Sequence, residues 1–446
     1  MSGLARILLE LGYSISGSDK VVNSCTRALL AKGAEVFSGH SEKNIKNDVD
    51  MVVYSSSIHP DNPELVKARD KKIPIIHRGD ILAYLMQSRI GIAIAGAHGK
   101  TTTTALIANI LSDAGLEPTA VVGGWVTAWD TNSRLGRGNF LVAESDESDG
   151  SFLKLSPVYT VVNNIDLEHL DYYHNLDNII QAYKSFIEKT RDFGCVFYCS
   201  DNAYLREILK ECKLRTVSYG LNKDADVYPE NIRLDANHTE FECIYYGLNL
   251  GKIELQIPGI HNVINAQAAL ALARELNIDW RVIKKSLFSF KGTKRRFQIK
   301  KDKPVMVVDD YAHHPTEIKA TLEAAHAWKK NRIITVFQPH RYSRTIYLKD
   351  IFPDAFSLAD KLVITDIYSA GEKPIDGVSA DIIYKAILNK GNNKDVLFLS
   401  RDKIIPYLLK IAKDDDLILM LGAGDITYLS DELVEELDKK CLSRQD

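Results

Sequence analysis

The order of hydrophobic and polar positions predicts helices that alternate with strands along most of the chain. Apolar residues recur at helical spacing in residues 4–11 and 106–114, as expected of amphipathic helices. Short, mostly apolar runs such as residues 90–95, 140–144 and 159–164 are typical of strands buried in a parallel sheet. This alternation indicates an α/β fold.

Changes in the pattern predict three domains. Residues 1–88 alternate short helices and strands in the manner of a Rossmann-like domain, and residues 294–446 repeat that arrangement. Residues 89–293 are predicted to form a P-loop-type central domain with a parallel sheet. An antiparallel flank is expected over residues 226–258, with a turn at 235–237. A chain of 446 residues is long enough for three separate cores.

A glycine-rich loop between the strand of residues 90–95 and the following helix is predicted to bind phosphate. Backbone N–H groups at the positive end of a helix attract anions, and Lys100 adds a charge for the terminal phosphates of a nucleotide. The spacing of Gly96 and Gly99 makes the loop two residues shorter than the Gly-x-x-x-x-Gly-Lys-Ser/Thr pattern. A plain glycine turn is the alternative. The predicted nucleotide contacts are Gly96, Ala97, His98, Gly99, Lys100, Thr101 and Thr102.

A magnesium site is predicted beside this loop. Glu144 ends one buried strand and His169 lies just past the end of the next, and parallel strands end at the same edge of a sheet. A carboxylate, an imidazole and the hydroxyl of Thr101 are suitable ligands for a divalent cation. Glu147 is a weaker candidate, because the acidic run of residues 145–149 is by default a solvated surface.

Polar residues also follow the predicted strands of the two outer domains, where the ligands of doubly wound sheets gather. Arg341 and Arg344 have a spacing that favours bidentate capture of a carboxylate or phosphate, although surface arginines are common. Asn262 lies in the first turn of a predicted helix, where it either caps the helix or hydrogen-bonds a purine ring. In the N-terminal domain the candidate ligand contacts are Ser18, Asp19 and Ser55.

Composition and charge narrow the choice of partners. A net charge of -3 argues against nucleic acid or an anionic membrane surface held by bulk electrostatics. No apolar run reaches the length of about 20 residues that a transmembrane helix needs, and the first residues lack the pattern of a signal peptide. The six cysteines show no paired zinc-type spacing, which favours a reducing cytoplasm. We therefore expect a cytoplasmic protein without a nucleic-acid partner and without membrane insertion.

Several segments of the chain resemble the bacterial Mur ligase family, and the resemblance runs in order through nearly the whole sequence. The tyrosine and double histidine ahead of Pro315, together with Pro-His-Arg-Tyr-Ser-Arg at 339–344, are similar to the branch that joins L-alanine to UDP-N-acetylmuramate. The resemblance implies an N-terminal domain for the UDP-sugar, a central domain for ATP, and a C-terminal domain for the amino acid and for closure. The segments that carry it are residues 96–103, 163–169, 258–265, 309–315 and 338–345, with Glu144.

The same resemblance implies an ATP-dependent, amide-forming ligase of peptidoglycan precursor synthesis, with ATP and Mg²⁺ as cofactors. In that reaction the substrate carboxylate attacks the γ-phosphate to form an acyl phosphate, and the amine of L-alanine then attacks the acyl phosphate. By resemblance, catalytic roles fall on Lys100, Glu144, His169, His313 and Arg341, nucleotide contacts on Asn262, Arg296, Asp310 and Tyr311, and sugar-nucleotide contacts on Arg341 and Arg344.

The start of the chain departs from the family pattern. Members of this branch begin with a strand and a glycine-rich loop ahead of the helix that starts here at Met1, and such a loop carries the diphosphate. We therefore expect the true start of the protein to lie upstream. Some family members use a carbamylated lysine as a metal bridge. Lys184 is the nearest candidate here and is left out of the catalytic set.

Three other functions stay open. The nearest is the recycling ligase that attaches a whole tripeptide to the same sugar, and the others are a P-loop ATPase or kinase and a non-catalytic nucleotide binder. The short phosphate loop and the C-terminal segments rich in histidine and arginine speak against the ATPase. The expected oligomeric state is a monomer or a weak homodimer.

Overall fold

The computed structural model of the protein describes residues 1–235, 238–328, 331–391 and 395–442. The chain divides into two compact units, called unit 1 and unit 2 below, and the domain boundaries predicted after residues 88 and 293 remain predictions. None of the helices in the described ranges combines the length and hydropathy that a membrane span requires. Unit 1 comprises Met1–Glu230, Glu242–Ile253 and Ile264–Phe290, and unit 2 comprises Asn231–Phe241, Glu254–Val263 and Lys291–Asp446.

The first part of unit 1 contains two separate parallel strand pairs, β1 with β2 and β3 with β4. The described residues contain no strand that links β1 to β3. The amide of Asn62 caps the third helix, which opens with Pro63 where a missing N–H costs little. The elements are α1 (Ser2–Glu10), β1 (Ser16–Asp19), α2 (Ser24–Ala31), β2 (Glu35–Ser38), β3 (Val52–Tyr54), α3 (Pro63–Asp70), β4 (Ile75–His77) and α4 (Arg78–Gln87).

A ten-stranded sheet follows, and the strand before the phosphate loop lies near its middle. The strands are β5 (Ile90–Ala95), β6 (Thr119–Val126), β7 (Thr131–Arg134), β8 (Phe140–Glu144), β9 (Tyr159–Val162), β10 (Cys195–Cys199), β11 (Arg215–Tyr219), β12 (Val227–Leu234), β13 (Thr239–Tyr245) and β14 (Leu248–Leu255). Their order is β14-β13-β12-β11-β10-β9-β5-β8-β6-β7. Strand β5 pairs in parallel with β8 and β9, and β7 runs antiparallel to β6 at one edge. The helices are α5 (Lys100–Asp113), α6 (Leu170–Tyr173), α7 (Leu176–Ile187), α8 (Ala203–Lys210), α9 (Ile260–Glu275) and α10 (Trp280–Ser289).

The other edge of this sheet carries the predicted antiparallel flank. Only Tyr246 and Gly247 separate β13 from β14, and both have positive φ, +47° and +77°. A two-residue turn of this kind joins antiparallel strands. Of the turn predicted at residues 235–237, Ala236 and Asn237 lie outside the described residues. The central prediction of a parallel sheet with an antiparallel flank is confirmed.

Unit 2 contains a six-stranded sheet of order β15-β16-β20-β17-β18-β19. All of its pairings are parallel except that of β15 with β16. Buried aliphatic and aromatic side chains cover both faces of the sheet in two core clusters, as expected for a doubly wound fold. The strands are β15 (Gln298–Lys301), β16 (Met306–Asp310), β17 (Ile333–Phe337), β18 (Lys361–Ile364), β19 (Val396–Phe398) and β20 (Leu417–Leu421); the helices are α11 (Pro315–Trp328), α12 (Tyr342–Tyr347), α13 (Phe352–Ala355), α14 (Asp381–Asn389), α15 (Arg401–Ile411) and α16 (Ile426–Leu442).

Candidate active site

The phosphate loop of unit 1 has a backbone conformation that requires glycine. Gly96 and Gly99 have φ of +138° and +79°, a region that side chains with a Cβ atom rarely adopt. A Cβ atom on Gly99 would also lie 2.8 Å from the side-chain nitrogen of Asn163. The loop therefore stays tight between β5 and α5, and Lys100 is the first residue of the helix.

Asparagine side chains from the end of β9 hold the loop in place. The backbone N–H of His98 donates to Oδ1 of Asn164 at 2.8 Å, and Nδ2 of Asn163 donates to the His98 carbonyl at 3.2 Å. Nε2 of His98 lies 2.8 Å from a carboxylate oxygen of Asp166. Sequence reasoning placed His98 in the loop but gave Asn163 and Asn164 no individual roles.

Lys100 turns its ammonium group inward in this structure. Nζ donates to the Gly96 carbonyl at 2.5 Å and to Oε1 of Glu147 at 2.6 Å. Burial alone would lower the pKa of Lys100, but the carboxylates of Glu147 and Glu144 outweigh burial and hold this pKa well above its usual value. The predicted phosphate-binding charge is therefore present at neutral pH.

Glu144, at the end of β8, links the start of α5 to the neighbouring strand β6. Its two carboxylate oxygens accept hydrogen bonds from Oγ1 of Thr101 at 3.1 Å and from the backbone N–H of Gly123 at 2.6 Å. The hydroxyl and the carboxylate proposed as metal ligands are thus in direct contact. A Cβ atom on Gly123 would collide with this carboxylate, so the close approach depends on glycine there.

A second group of potential ligands lies beside Lys100. Oxygen atoms of Glu147 and Glu168 and a ring nitrogen of His169 all lie within 4.8 Å of one another, and His169 has a left-handed backbone with φ of +55°. Only 3% of Glu147 is exposed, and its Oε2 is buried with no hydrogen-bond partner among the described residues. Oxygen and imidazole donors around such an atom fit a divalent cation. Sequence reasoning named His169, ranked Glu147 lower and missed Glu168.

A cavity of about 310 Å³ lies next to these residues within unit 1. Lys100, Gly123 and Glu144 line it on the loop side, and Arg78 lines it from the start of α4. The Arg78 guanidinium pairs with the carboxylate of Asp146, one of the residues of the acidic run. The cavity therefore lies directly beside the phosphate loop. Sequence reasoning missed Arg78, whose only local signal is its position after a strand.

The three N-terminal candidates all make hydrogen bonds within the first part of unit 1. The hydroxyl of Ser18 donates to Oε2 of Glu64 at 2.7 Å, and Oδ1 of Asp19 accepts from the N–H of Val21 at 3.1 Å. The Ser55 hydroxyl lies 2.8 Å from that of Ser57. Roles of Ser18, Asp19 and Ser55 in substrate binding therefore remain predictions.

In unit 2, Asp310 is the last residue of β16 and Tyr311 follows it. The Asp310 carboxylate accepts hydrogen bonds from the backbone N–H groups of Phe297 at 2.6 Å and Ala312 at 2.7 Å. Burial raises the pKa of Asp310 to about 6, although Arg296 and the two N–H donors oppose the shift. The Arg296 guanidinium lies 5.3 Å from the centre of the Tyr311 ring, which is a cation–π distance. Three predicted nucleotide contacts therefore lie together.

We expect the buried carboxyl of Asp310 to make the stability of the protein depend on pH. Its folded pKa lies above the unfolded value, so the folded state retains the proton longer and stability falls as pH rises from about 4 to 7. Over that interval the wild type should lose about 2 kcal/mol more unfolding free energy than Asp310→Asn. Urea denaturation of both proteins at pH 4 and pH 7 measures the difference. An equal loss in the two proteins would contradict the shifted pKa.

The remaining unit 2 candidates gather around His340, after β17. The rings of His313 and His340 lie 5.3 Å apart, and Nη1 of Arg344 lies 2.9 Å from Nδ1 of His340. Arg341 has φ of +68°, and its N–H donates to the Tyr368 carbonyl at 2.9 Å. The structure thus brings His313 and Arg344 to one histidine at the ends of β16 and β17.

Two further hydrogen bonds concern the start of a helix. Oε2 of Glu372 accepts from the N–H of Tyr342 at 2.7 Å, which fixes the start of α12 directly after Arg341. Nδ2 of Asn262 donates to the Pro258 carbonyl at 2.7 Å. This side chain therefore stabilises the start of helix α9. Its contact with a purine remains a prediction. Glu372 was not found from the sequence, since it lies on a polar loop without regular spacing.

Comparison with known protein families gives three consecutive matches. The description "Mur ligase family, catalytic domain" matches residues 1–89, "Mur ligase middle domain" matches residues 94–273, and "Mur ligase, glutamate ligase domain" matches residues 295–424. The fold and these matches define an ATP-dependent, amide-forming ligase, and the chain belongs to the Mur ligase family. The family resemblance drawn from the sequence is confirmed.

Individual relatives are similar over nearly their whole length. A protein of Geotalea uraniireducens named UDP-N-acetylmuramate–L-alanine ligase is 48% identical over 439 residues, which cover 98% of this chain and 95% of that protein. The crystal structure of UDP-N-acetylmuramate-alanine ligase from Thermotoga maritima matches with a TM-score of 0.84 and 29% identity, over 99% of this chain and 97% of that one. A murein peptide ligase from Psychrobacter arcticus shares the fold, with a TM-score of 0.74, 23% identity and coverage of 98% and 96%.

Proposed function

We propose that this protein joins L-alanine to the carboxylate of UDP-N-acetylmuramate at the expense of ATP, as a step of peptidoglycan precursor synthesis. The observation that carries the proposal is 48% identity to a UDP-N-acetylmuramate–L-alanine ligase over almost the entire chain. The site in unit 1 supports it, because Lys100, Thr101 and Glu144 surround a glycine loop at the start of α5. The tripeptide-recycling ligase is not favoured, since the murein peptide ligase match has lower identity and a lower TM-score.

The reaction proceeds in two steps. In the first step, a carboxylate oxygen of the sugar nucleotide attacks the γ-phosphorus of ATP, and the bond from that phosphorus to the β-phosphate oxygen breaks. The products of this step are ADP and an acyl phosphate. The neutral amine of L-alanine then attacks the acyl carbon, the bond to the phosphate oxygen breaks, and the amine loses a proton. Phosphoryl transfer depends mainly on positioning and charge neutralisation, which the loop N–H groups and Lys100 would supply.

The residues of unit 1 fit a divalent cation. Mg²⁺ would neutralise charge on the phosphates and on the attacking carboxylate. Thr101 and Glu144 would hold one cation, and the buried group of Glu147, Glu168 and His169 offers a second set of ligands. The buried Oε2 of Glu147, which has no hydrogen-bond partner among the described residues, supports the assignment.

In unit 2 we assign nucleotide contacts to Asn262, Arg296, Asp310 and Tyr311, and substrate contacts to His313, Arg341 and Arg344. Asn262 is assigned by the family resemblance alone. The support for the other residues is their grouping at the ends of β16 and β17, where doubly wound sheets bind ligands. Arginine suits the acidic groups of the sugar nucleotide because its planar guanidinium binds carboxylate and phosphate in a bidentate manner. We further infer a monomer or weak homodimer in the cytoplasm, a reducing compartment that suits the free thiols of Cys25, Cys195, Cys199, Cys212 and Cys243.

Amide formation in vitro tests the proposal. Purified protein with ATP, Mg²⁺, UDP-N-acetylmuramate and L-alanine should give one phosphate per molecule of UDP-N-acetylmuramoyl-alanine, counted by phosphate release and mass spectrometry. Omitting either UDP-N-acetylmuramate or L-alanine should stop product formation. Faster turnover with the tripeptide than with L-alanine would favour the recycling ligase. Phosphate release that ignores both substrates would favour a P-loop ATPase, and nucleotide binding without any turnover would favour a non-catalytic binder.

A further inference from the structure

The phosphate-binding lysine of unit 1 is held by a buried carboxylate. Nζ of Lys100 lies 2.6 Å from Oε1 of Glu147, and only 15% of the Lys100 side chain and 4% of the Glu147 side chain are exposed. The other acceptors of Nζ are the carbonyls of Gly96 and Ala97, at 2.5 and 3.3 Å. All three contacts direct the ammonium toward the protein itself.

The same carboxylate belongs to the group that fits a divalent cation. Oε1 of Glu147 lies 3.6 Å from Nε2 of His169, and an oxygen of Glu168 lies 3.6 Å from that nitrogen. Oε2 of Glu147 is buried and has no hydrogen-bond partner within the described chain. An uncompensated oxygen atom at such a position is costly, and a cation bound by the group would compensate it.

We infer that Glu147 holds Lys100 away from the nucleotide until a divalent cation binds at Glu147, Glu168 and His169, so that cation and nucleotide bind cooperatively. The inference rests on the proposed function, because that function supplies both the nucleotide and the cation. A carboxylate shared with a cation attracts the ammonium less strongly, which leaves Lys100 available to the phosphates. Coupling of this kind is reciprocal: the factor by which the cation tightens nucleotide binding equals the factor by which the nucleotide tightens cation binding.

The same contact gives the buried ammonium of Lys100 a negatively charged partner within the protein. Breaking a buried ion pair by removing one partner leaves an unpaired charge and is strongly destabilising. Exchanging the ammonium for a cation at the same carboxylate avoids that penalty, because the negative charge keeps a positive partner in both states. The ammonium moves in turn to another anion, the phosphate.

Binding of ADP without and with Mg²⁺ tests the role of Glu147. In EDTA, Glu147→Gln should bind ADP about fivefold more tightly than the wild type, and the gain that Mg²⁺ brings should shrink by a similar factor. Glutamine keeps the shape and one oxygen acceptor of the side chain, and circular dichroism and thermal unfolding verify the fold. Glu188→Gln, at an exposed position after α7, is the matched control and should behave as wild type.

A double-mutant cycle separates release of Lys100 from a general loss of negative charge. In a Lys100→Gln background, Glu147→Gln should change ADP affinity in EDTA less than twofold, because there is no ammonium left to release. Tighter ADP binding that persists in this background would overturn the inference. Unchanged or weaker ADP binding by the single variant Glu147→Gln in EDTA would also overturn it.

Cation binding without nucleotide gives the reciprocal test. Free Mn²⁺, followed by electron paramagnetic resonance, should bind about fivefold more tightly to Lys100→Gln than to the wild type, since its competitor for Glu147 is gone. An unchanged or weaker affinity would contradict the inference, even if Glu147→Gln failed to fold. Neither measurement uses the sugar nucleotide or L-alanine. If the wild type forms the amide but cation and nucleotide bind independently, only this inference is refuted. If cation and nucleotide bind cooperatively but no amide forms, only the proposed function is refuted.

Discussion

Lys100→Gln is expected to lower the rate of acyl-phosphate formation about a thousandfold, the size of effect seen when a preorganised electrostatic contact to a transition state is removed. The Lys100 ammonium is charged at neutral pH because nearby carboxylates raise its pKa, and negative charge on the transferring phosphoryl group is spread over its oxygens in the transition state. Glutamine retains a donor for the carbonyl of Gly96 but supplies no charge. Phosphate release and product formation at saturating substrates measure the loss.

The control for this prediction is Lys189→Gln, which removes a lysine from an exposed position after α7. It should retain wild-type turnover. Thermal unfolding of both variants separates a loss of catalysis from a loss of folded protein, since removal of Lys100 also leaves Glu147 without its cationic partner. Turnover of folded Lys100→Gln within tenfold of the wild type would show that the glycine loop does not carry the terminal phosphates.

The phosphate loop could be predicted from the sequence because its signal is local. Strand β5, the two glycines of the loop and helix α5 follow one another without interruption, and the positive φ of Gly96 and Gly99 is what that order of residues requires. The same holds for the strand-end positions of Glu144 and Asp310. In a parallel sheet, the end of a strand specifies the edge at which its next residues lie.

The group of Glu147, Glu168 and His169 could not be derived in this way. Its members come from two loops, and their distances depend on how those loops fold against each other. An acidic run has the same hydropathy whether its carboxylates are solvated or buried, so the 3% exposure of Glu147 has no counterpart in the sequence pattern. Arg78 presents the same problem, because its partner Asp146 lies far away along the chain.

Some edge strands were missed for a related reason. Strand β15 contains two lysines and no apolar run, and it is a strand because β16 offers it a free edge for pairing. The strands β1 to β4 were expected as pieces of a Rossmann-like sheet, and they form two separate parallel pairs. The hydropathy pattern can show that a segment forms a strand. It does not specify which other strand lies next to that segment in the sheet.

Glu144→Gln is expected to reduce turnover about a hundredfold and to raise the Mg²⁺ concentration needed for half-maximal activity about tenfold. The Glu144 carboxylate contacts Oγ1 of Thr101 at 3.1 Å and the N–H of Gly123 at 2.6 Å. Glutamine preserves the volume and one acceptor for these donors, whereas the negative charge that a cation requires is lost. Steady-state assays over a series of Mg²⁺ concentrations measure both effects.

The dependence on Mg²⁺ distinguishes a metal ligand from a residue that only supports the loop. If Glu144 binds the cation, high Mg²⁺ should restore part of the activity of Glu144→Gln, because mass action compensates a weakened site. If Glu144 only positions Thr101 and Gly123, turnover should fall with no change in the Mg²⁺ requirement, and that result would exclude Glu144 as a ligand. Glu188→Gln again serves as the control, and its Mg²⁺ requirement should equal that of the wild type.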